Sequence, residues 1–456
     1  MIKLINFKTI NLIMIIKNIE IKGNRIWLPK NFQDTFRSYF LEIELKKQNK
    51  KQKFFTKITK DGRFVIPKEI RENLELKKNE KLCLKIRPIL NNKFNRDFFQ
   101  NDKIDVLAFI PVKTMSGFDI LTVERKKKLY IWYSTKGRPN EIELNRFLPI
   151  SFLKLLGYYQ AEGGKPKLQK RRGRELSFTN KSLFIVKDFI KLSKSMFRTD
   201  LWKVTIRHNP NVPKDEIDNL KLELTNLGIN TNNISSQVAE RISHYTIRLW
   251  ITNSLLFEIL FSMMNKMRKY LVSSQFNHSN RKLCALFTQG LLAGDGTFHY
   301  WIDKKGSLHS NIGIFEANED YMKDYQLLLN KFQVYGNFKK HRTKNFYIYS
   351  VFTNWNSLLI LWGLKLLISP HHRESLKKTI LRHKRYRSMK YLRFLPNEFT
   401  TSWFRKTFDV SYPYTISYLR DRMNENILLK IGLKNNENMW KLTDYGKILK
   451  NIISTL

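Results

Sequence analysis

Two carboxylates sit in matching surroundings. Glu162 lies in FLKLLGYYQAEGG (152–164) and Asp295 in LFTQGLLAGDGTF (286–298). Each follows an apolar run of helical character and is followed at once by a glycine, Gly163 or Gly296. Each run also carries small residues four apart, Gly157 and Ala161 in the first, Gly290 and Gly294 in the second. A glycine inside a helix costs about 1 kcal/mol against alanine, so a cost repeated at the same relative place needs a compensating gain. Residues at i and i+4 share a helix face, and small ones flatten it enough for two backbones to approach closely. Two such helices packed together would set their terminal carboxylates side by side, where each repels the other and the negative end of its helix. A divalent cation relieves both conflicts and prefers oxygen ligands. These residues therefore predict a Mg²⁺ (or Mn²⁺) site at a pseudo-two-fold axis, built on Glu162 and Asp295. Gly157, Ala161, Gly290 and Gly294 are then the helix-packing positions.

The elements that must position the acids come twice. After Asp295 stand strand-like FHYWID and LHSNIGIF, the amphipathic EDYMKDYQLLLNKF, strand-like GNFKKH and NFYIYSVFT, and the apolar helix SLLILWGLKLL. With the motif helix in front, that order is αββαββα. The first copy reads the same way, with a hairpin running through LSFTN, a helix near SLFIVKDFIKLSKSMF, strands WKVTIRH and HYTIRLWIT, and the helix SLLFEILFSMM. Both copies end their last strand in the same pair, Thr252-Asn253 and Thr353-Asn354. An extra polar segment, 209–238, interrupts the first copy, and its DEIDNLKLELTNLG pattern predicts one more helix. The first hairpin opens with KPKLQKRRGR (165–174), six basic residues in ten.

With LLGYYQAEG at 155–163 and TQGLLAGDG at 288–296, the chain resembles the two-motif, monomeric LAGLIDADG homing endonucleases. The resemblance covers residues 146–368. The sixth motif position holds Gln160 and Ala293, neither acidic, at a place that varies in the family, and the eighth holds the two acids. The resemblance implies site-specific hydrolysis of both strands of double-stranded DNA. Glu162 and Asp295 would be the catalytic, metal-binding acids, with Ala161 and Gly294 beside them in the metal site. Metal would activate water and neutralise charge on the attacked and leaving oxygens. A twisted sheet with a basic face fits the major groove. Lys165, Lys167, Lys170, Arg171, Arg172 and Arg174 are thus candidate DNA contacts, with Lys304 and Lys305 their counterparts in the second copy. Arg241 and Arg342 hold equivalent places near the last strands and, with Lys344, are candidate catalytic helpers.

Further upstream, RIWLPK (25–30) recurs as RFVIPK (63–68), each behind a glycine turn, Gly23 or Gly62. LKKQNKKQK between the copies reads as a solvated linker. The fuller second copy resembles the swapped-hairpin AbrB/MazE-type DNA-binding fold. Two tandem copies imply one intrachain pseudo-dimer over 14–90, with Lys57, Lys60 and Arg63 facing DNA. Residues 91–145 read as a β-rich connector. HHRESLKKTILRHKRYRSMKYLR (371–393) predicts a basic linker helix over 369–397 that lies along DNA. Residues 398–456 resemble a winged helix whose second helix reads DNA through Tyr414, Ser417, Arg420 and Arg422. The expected fold is therefore α+β, a pseudo-two-fold pair of αββαββα repeats (146–270 and 281–368). A small N-terminal β-rich domain and a C-terminal winged helix flank it.

Charge and composition narrow the partners. The 456 residues carry 83 Lys and Arg against 39 Asp and Glu, a net charge of +44. With 32 Phe, 19 Tyr and 9 Trp to bury, the chain is not a disordered polyelectrolyte. The excess charge asks for a polyanion, and nucleic acid is the usual one. Apolar stretches fall short of the ~20 residues a membrane span needs, so no membrane partner is expected. Cys83 and Cys284 make no disulfide framework, which places the chain in a reducing compartment, cytoplasmic and associated with the nucleoid. Met14 offers a second possible start. Two other readings stay open, a non-cleaving DNA-binding transcriptional regulator built on the same core and a maturase that binds intron RNA. The paired acids favour the endonuclease.

Overall fold

The upstream repeat pairs with itself. In the computed structural model, which describes residues 2–5, 13–30, 33, 40–59, 61–89, 97–135, 138–164, 175–302, 304, 308–343 and 345–456, seven strands form the first sheet. They are β1 (Ile2–Ile5), β2 (Ile13–Lys22), β3 (Arg25–Trp27), β4 (Phe40–Lys47), β5 (Lys50–Lys57), β6 (Arg63–Val65) and β7 (Lys81–Ile89), in the order β5-β4-β7-β2-β3-β6 with β1 on β2. The equivalent strands β3 and β6 run antiparallel, with Arg25 opposite Val65, Ile26 opposite Phe64 and Trp27 opposite Arg63. Leu28 N donates to Gly62 O and Ile66 N to Asn24 O, both at 3.0 Å. A local two-fold thus passes between Ile26 and Phe64, and both copies feed one core through Ile26, Leu28, Phe64 and Ile66. Gly62 has φ +79°, and a Cβ there would fall 2.0 Å from the Gln33 side chain, so glycine is required twice over.

The segment LKKQNKKQK is not a solvated linker. It is the turn of the β4–β5 hairpin, with Leu45 opposite Gln52 and Lys47 opposite Lys50. Leu41, Ile43 and Leu45 are fully buried, so their period-two spacing outweighed the local charge. Lys50, Lys51 and Lys53 fall on the edge strand β5, where they discourage pairing with other chains. A short helix, α1 (Lys68–Asn73), follows β6.

The connector holds two small sheets. One is β10 (Leu121–Arg125), β11 (Lys128–Thr135) and β12 (Arg138–Asn145). The other joins β8 (Phe99–Gln100) and β9 (Lys103–Asp105) to β13 (Phe147–Pro149). Arg146 ties them together through Asp105 at 2.8 Å and Glu124 at 2.6 Å. A cluster of Phe55, Leu121 and Trp132 and an Arg125–Glu42 ion pair seat the connector on the first sheet.

The chain divides into two units, Met1–Tyr270 and Leu271–Leu456. In the first, α2 (Phe152–Glu162), β14 (Leu176–Asn180), α3 (Leu183–Ser193), β15 (Lys203–His208), β17 (Tyr245–Ile251) and α5 (Ser254–Ser273) follow the expected order. The interruption forms α4 (Lys214–Asn226), as predicted, and also β16 (Ile234–Val238), which was not. The sheet order is β14-β17-β15-β16, with β16 parallel to β15 at the edge. The second unit has α6 (His278–Gly294), β18 (Gly296–Ile302), β19 (Leu308–Glu316), α7 (Glu319–Lys331), β20 (Gly336–Lys340), β21 (Tyr347–Val351) and α8 (Trp355–Gly363). Its sheet order is β18-β19-β21-β20. In both sheets the final strand slots between the second and third of its repeat, so β14, β15 and β17 correspond to β19, β20 and β21. The counterpart of β18 falls outside the described residues, except for a bridge between Gly163 and Phe178.

The basic region after α8 is not one helix along a surface. It divides into α9 (Pro370–Arg382) and α10 (Lys384–Ser388) at His383, whose ψ of 136° is extended. Ser375, Leu376, Thr379 and Ile380 bury one face of α9, which packs on α8 and β18. The end of the chain forms β22 (Glu398–Thr400), α11 (Thr401–Phe408), α12 (Tyr412–Asn424), β23 (Leu428–Lys434), β24 (Glu437–Leu442) and α13 (Asp444–Ser454). The three strands make one sheet, β22-β24-β23.

Candidate functional site

Glu162 is carried by a helix buried nearly all round. Leu153, Leu155, Leu156, Tyr158 and Tyr159 of α2 are at most 2 % exposed. The Tyr158 hydroxyl donates to Asp188 Oδ2 at 2.8 Å, and Lys154 Nζ reaches the same oxygen at 2.7 Å, tying α2 to α3. Burial, then the Asp188 charge, pushes the Tyr158 hydroxyl pKa up, so its proton stays in place. At the helix end Gly163 N donates to Tyr159 O at 2.9 Å, and a Cβ on Gly163 would lie 2.3 Å from that oxygen. Only glycine lets the chain leave the helix so tightly and bridge to Phe178. Glu162 is half-buried, and its Oε1 accepts from Asn180 Nδ2 at 3.3 Å. Asn180 Oδ1 accepts from Ser182 N at 2.8 Å, which fixes that amide's orientation.

The second acid is built the same way. Asp295 caps α6 and its N–H donates to Leu291 O at 3.0 Å. Gly296 begins β18, and a Cβ there would lie 2.2 Å from Leu292 O. Asp295 Oδ2 is buried. The helix itself starts eight residues before the apolar run, where Asn277 Oδ1 caps it by accepting from Asn280 N at 2.9 Å. Gly157 and Gly290 are buried, Ala161 is 9 % exposed and Gly294 is half-buried. Gln160, the non-acidic sixth position, is fully buried and its Oε1 accepts from Arg268 Nη1 at 3.2 Å.

Carboxylate oxygens are hard donors and suit Mg²⁺ or Mn²⁺. Among the described residues no three His, Cys, Asp or Glu side chains gather at one place. A Mg²⁺-type ion keeps several waters and takes substrate phosphate oxygens beside only one or two carboxylates, so a single acid such as Glu162 or Asp295 has the right donor chemistry for one.

The remaining predicted residues vary in their placement. Arg241 and Arg342 are both exposed in the turns just before β17 and β21, in equivalent places. Lys304 is exposed in the β18–β19 turn. Lys60, Lys165, Lys167, Lys170, Arg171, Arg172, Arg174, Lys305 and Lys344 lie outside the described residues, and Lys57 is described only in its backbone, at the end of β5. Arg63 is engaged within the protein, 2.7 Å from Asp61 in the turn before β6 and stacked at 5.2 Å over Trp27 of the facing strand β3. Tyr414, Ser417 and Arg420 are exposed on α12. Arg422 departs from its expected role. It is 5 % exposed, paired with Glu425 at 3.1 Å and packed over Tyr418, so it holds α12 rather than reaching outward.

The open faces of the two sheets carry side chains that no sequence motif marks. In unit 1 Val204, Ile206, Ile247 and Leu249 are buried, which turns Lys203, Thr205, Arg207, Thr246, Arg248 and Trp250 to the other side. Lys203 Nζ stands 4.9 Å over the Trp250 ring, and Arg248 pairs with Glu175. In unit 2 Phe298, Ile312, Ile314 and Tyr349 are buried, leaving His299, Trp301, His309, Asn311 and Lys339 outward. Trp301 and His309 stack at 5.4 Å. Strict alternation in KVTIRH and YTIRLWI was the available signal.

No family model matches the chain, and no curated protein does. Among solved structures it is similar to the homing endonuclease I-DmoI in complex with DNA and Ca, at 15% identity and a TM-score of 0.28, over 50% of this chain and 98% of that one. Full-length DUF199/WhiA from Thermatoga maritima matches at 12% identity and 0.29, over 60% of this chain and 90% of that one. The meganuclease I-SmaMI bound to uncleaveable DNA matches at 12% identity and 0.29, over 51% and 92%. Likenesses this distant assign neither family nor activity.

Proposed function

We propose that this chain is a site-specific, double-stranded DNA endonuclease of the LAGLIDADG type, acting as a monomer on nucleoid DNA in the cytoplasm. One observation carries the reading: twice, a helix ends in an acid followed at once by a side-chain-free glycine that meets a sheet with a polar open face, by a bridge to Phe178 of β14 in unit 1 and as the first residue of β18 in unit 2. An acid so placed stands where a phosphate backbone on that face would run. Glu162 and Asp295 would hold Mg²⁺ or Mn²⁺. The bound ion would activate water and offset charge on the attacked and leaving oxygens. Asn180 would keep the Glu162 carboxylate in a fixed orientation. The open faces would enter the major groove, with Arg241 and Arg342 offering charge near the phosphates. Residues 14–90 and 398–456 would add DNA contacts at the two ends.

The test separates cutting from binding. The protein is incubated with Mg²⁺ and its own flanking genomic DNA, and strand breaks are mapped. Glu162→Gln and Asp295→Asn should each lower cleavage at least ~1000-fold, since a metal-dependent step loses several kcal/mol. Affinity in Ca²⁺ should stay within about threefold of the parent or rise, because a repelling charge has gone. Undiminished cutting by both variants would end this assignment. Tight binding with no cutting by the parent protein would point to the regulator instead.

A further inference from the structure

Among the described residues, the strand β16 has no counterpart in the second unit. β20 is the last strand of its sheet, whereas its equivalent β15 carries β16 beyond it. The parallel register sets Ser235 beside Thr205 and Gln237 beside Arg207. Ser235 Oγ donates to Thr205 Oγ1 at 3.3 Å, so the added strand presents these side chains on the open face. Gln237 and Arg207 are both exposed. The helix of the same insertion, α4, buries Ile217, Leu220 and Leu224 and so anchors the strand.

Chemistry identifies the occupant of this corner. An Arg fork matches the O6 and N7 acceptors of guanine, and a Gln amide matches N6 and N7 of adenine. Among the described residues no acid pairs with Arg207, while Arg248 on the same face is held by Glu175. One added strand widens a sheet by roughly 4.8 Å, more than one base-pair rise of roughly 3.4 Å. The molecule's charge of +44 favours a duplex against this face over any cationic or neutral partner. Resting on the function proposed above, we propose that Arg207 and Gln237 read two neighbouring base pairs, a guanine and an adenine, through the major groove. The half-site bound by unit 1 is then longer, by one or two base pairs, than the half-site bound by unit 2.

Selection from a random duplex library with the full chain tests this. The parent protein should select adjoining guanine and adenine preferences on one side of its site only. Gln237→Ala should relax the adenine position and weaken the selected site about tenfold. Arg207→Lys keeps the charge and loses the fork, so it should relax the guanine position alone. Unchanged preferences in both variants, or a uniform loss of affinity on every sequence, would overturn the assignment while leaving DNA binding intact. A parent protein that retains no duplex at all would overturn the proposed function with it.

Discussion

Gly163 has ordinary backbone angles, φ −76° and ψ 153°, and Gly296 has no left-handed φ. What each needs is clearance from a carbonyl four residues back, at 2.3 and 2.2 Å from a built Cβ. Gly163→Ala or Gly296→Ala should therefore destabilise the chain by about 1–3 kcal/mol, as overpacking does. Cleavage should fall more than affinity, because the displaced residue is the neighbour of an acid. Urea unfolding with paired cleavage assays checks both; an unmoved midpoint would show that the helix end yields freely. Gln160 makes a second residue-scale case. Gln160→Leu removes the acceptor that meets Arg268 at 3.2 Å inside the core, and leaving a buried donor without it should cost about 1–3 kcal/mol.

Elements answer to their junctions. The break between α9 and α10 rests on His383, whose Nδ1 accepts from Arg385 N at 3.2 Å while its ring stacks on Trp355 at 5.1 Å. Burial, then the Arg385 charge, holds this imidazole below its ordinary 6.5. The folded state therefore favours the neutral ring. That contribution is complete above about 6.5 and is lost as pH falls from there through the lowered value. Protonation would also remove the acceptor that caps α10. Thermal melting should drop more for the parent than for His383→Asn between about pH 7.5 and about pH 5.5. Parallel curves would remove His383 as the cause.

At the scale of the molecule, the end of the chain is built into its unit. Trp362 Nε1 donates to Thr455 Oγ1 at 2.9 Å, and Ile452 packs against Gly363 of α8. Deleting 398–456 should accordingly lower the melting midpoint by at least ~5 °C, the shift expected for losing more than about 1–2 kcal/mol in a unit this size. An unchanged midpoint would mean that the final module hangs free. The charge of +44 makes a separate demand. Log affinity for DNA should fall linearly with log salt, by about 0.9 per phosphate neutralised; a flat response would exclude phosphate contacts as the source of affinity.

Periodicity and local chemistry made much of this legible beforehand. The helices bearing Glu162 and Asp295, the helix in DEIDNLKLELTNLG and the paired RIWLPK and RFVIPK strands all announce themselves within about a dozen residues, because helix and strand spacing are local. Charge alone pointed toward a polyanionic partner, since the count does not depend on folding. Three features were decided only by tertiary contact. Gln160 meets Arg268 across 108 positions, β16 joins the sheet by pairing with β15, and Arg422 turns inward to donate to Ser388 Oγ at 3.4 Å. Each depends on which surfaces meet after collapse, and a single strand or side chain carries no record of its distant neighbour. LKKQNKKQK misled for the same reason: its lysines read as solvent-loving until the buried face of Leu41, Ile43 and Leu45 set the strand's register.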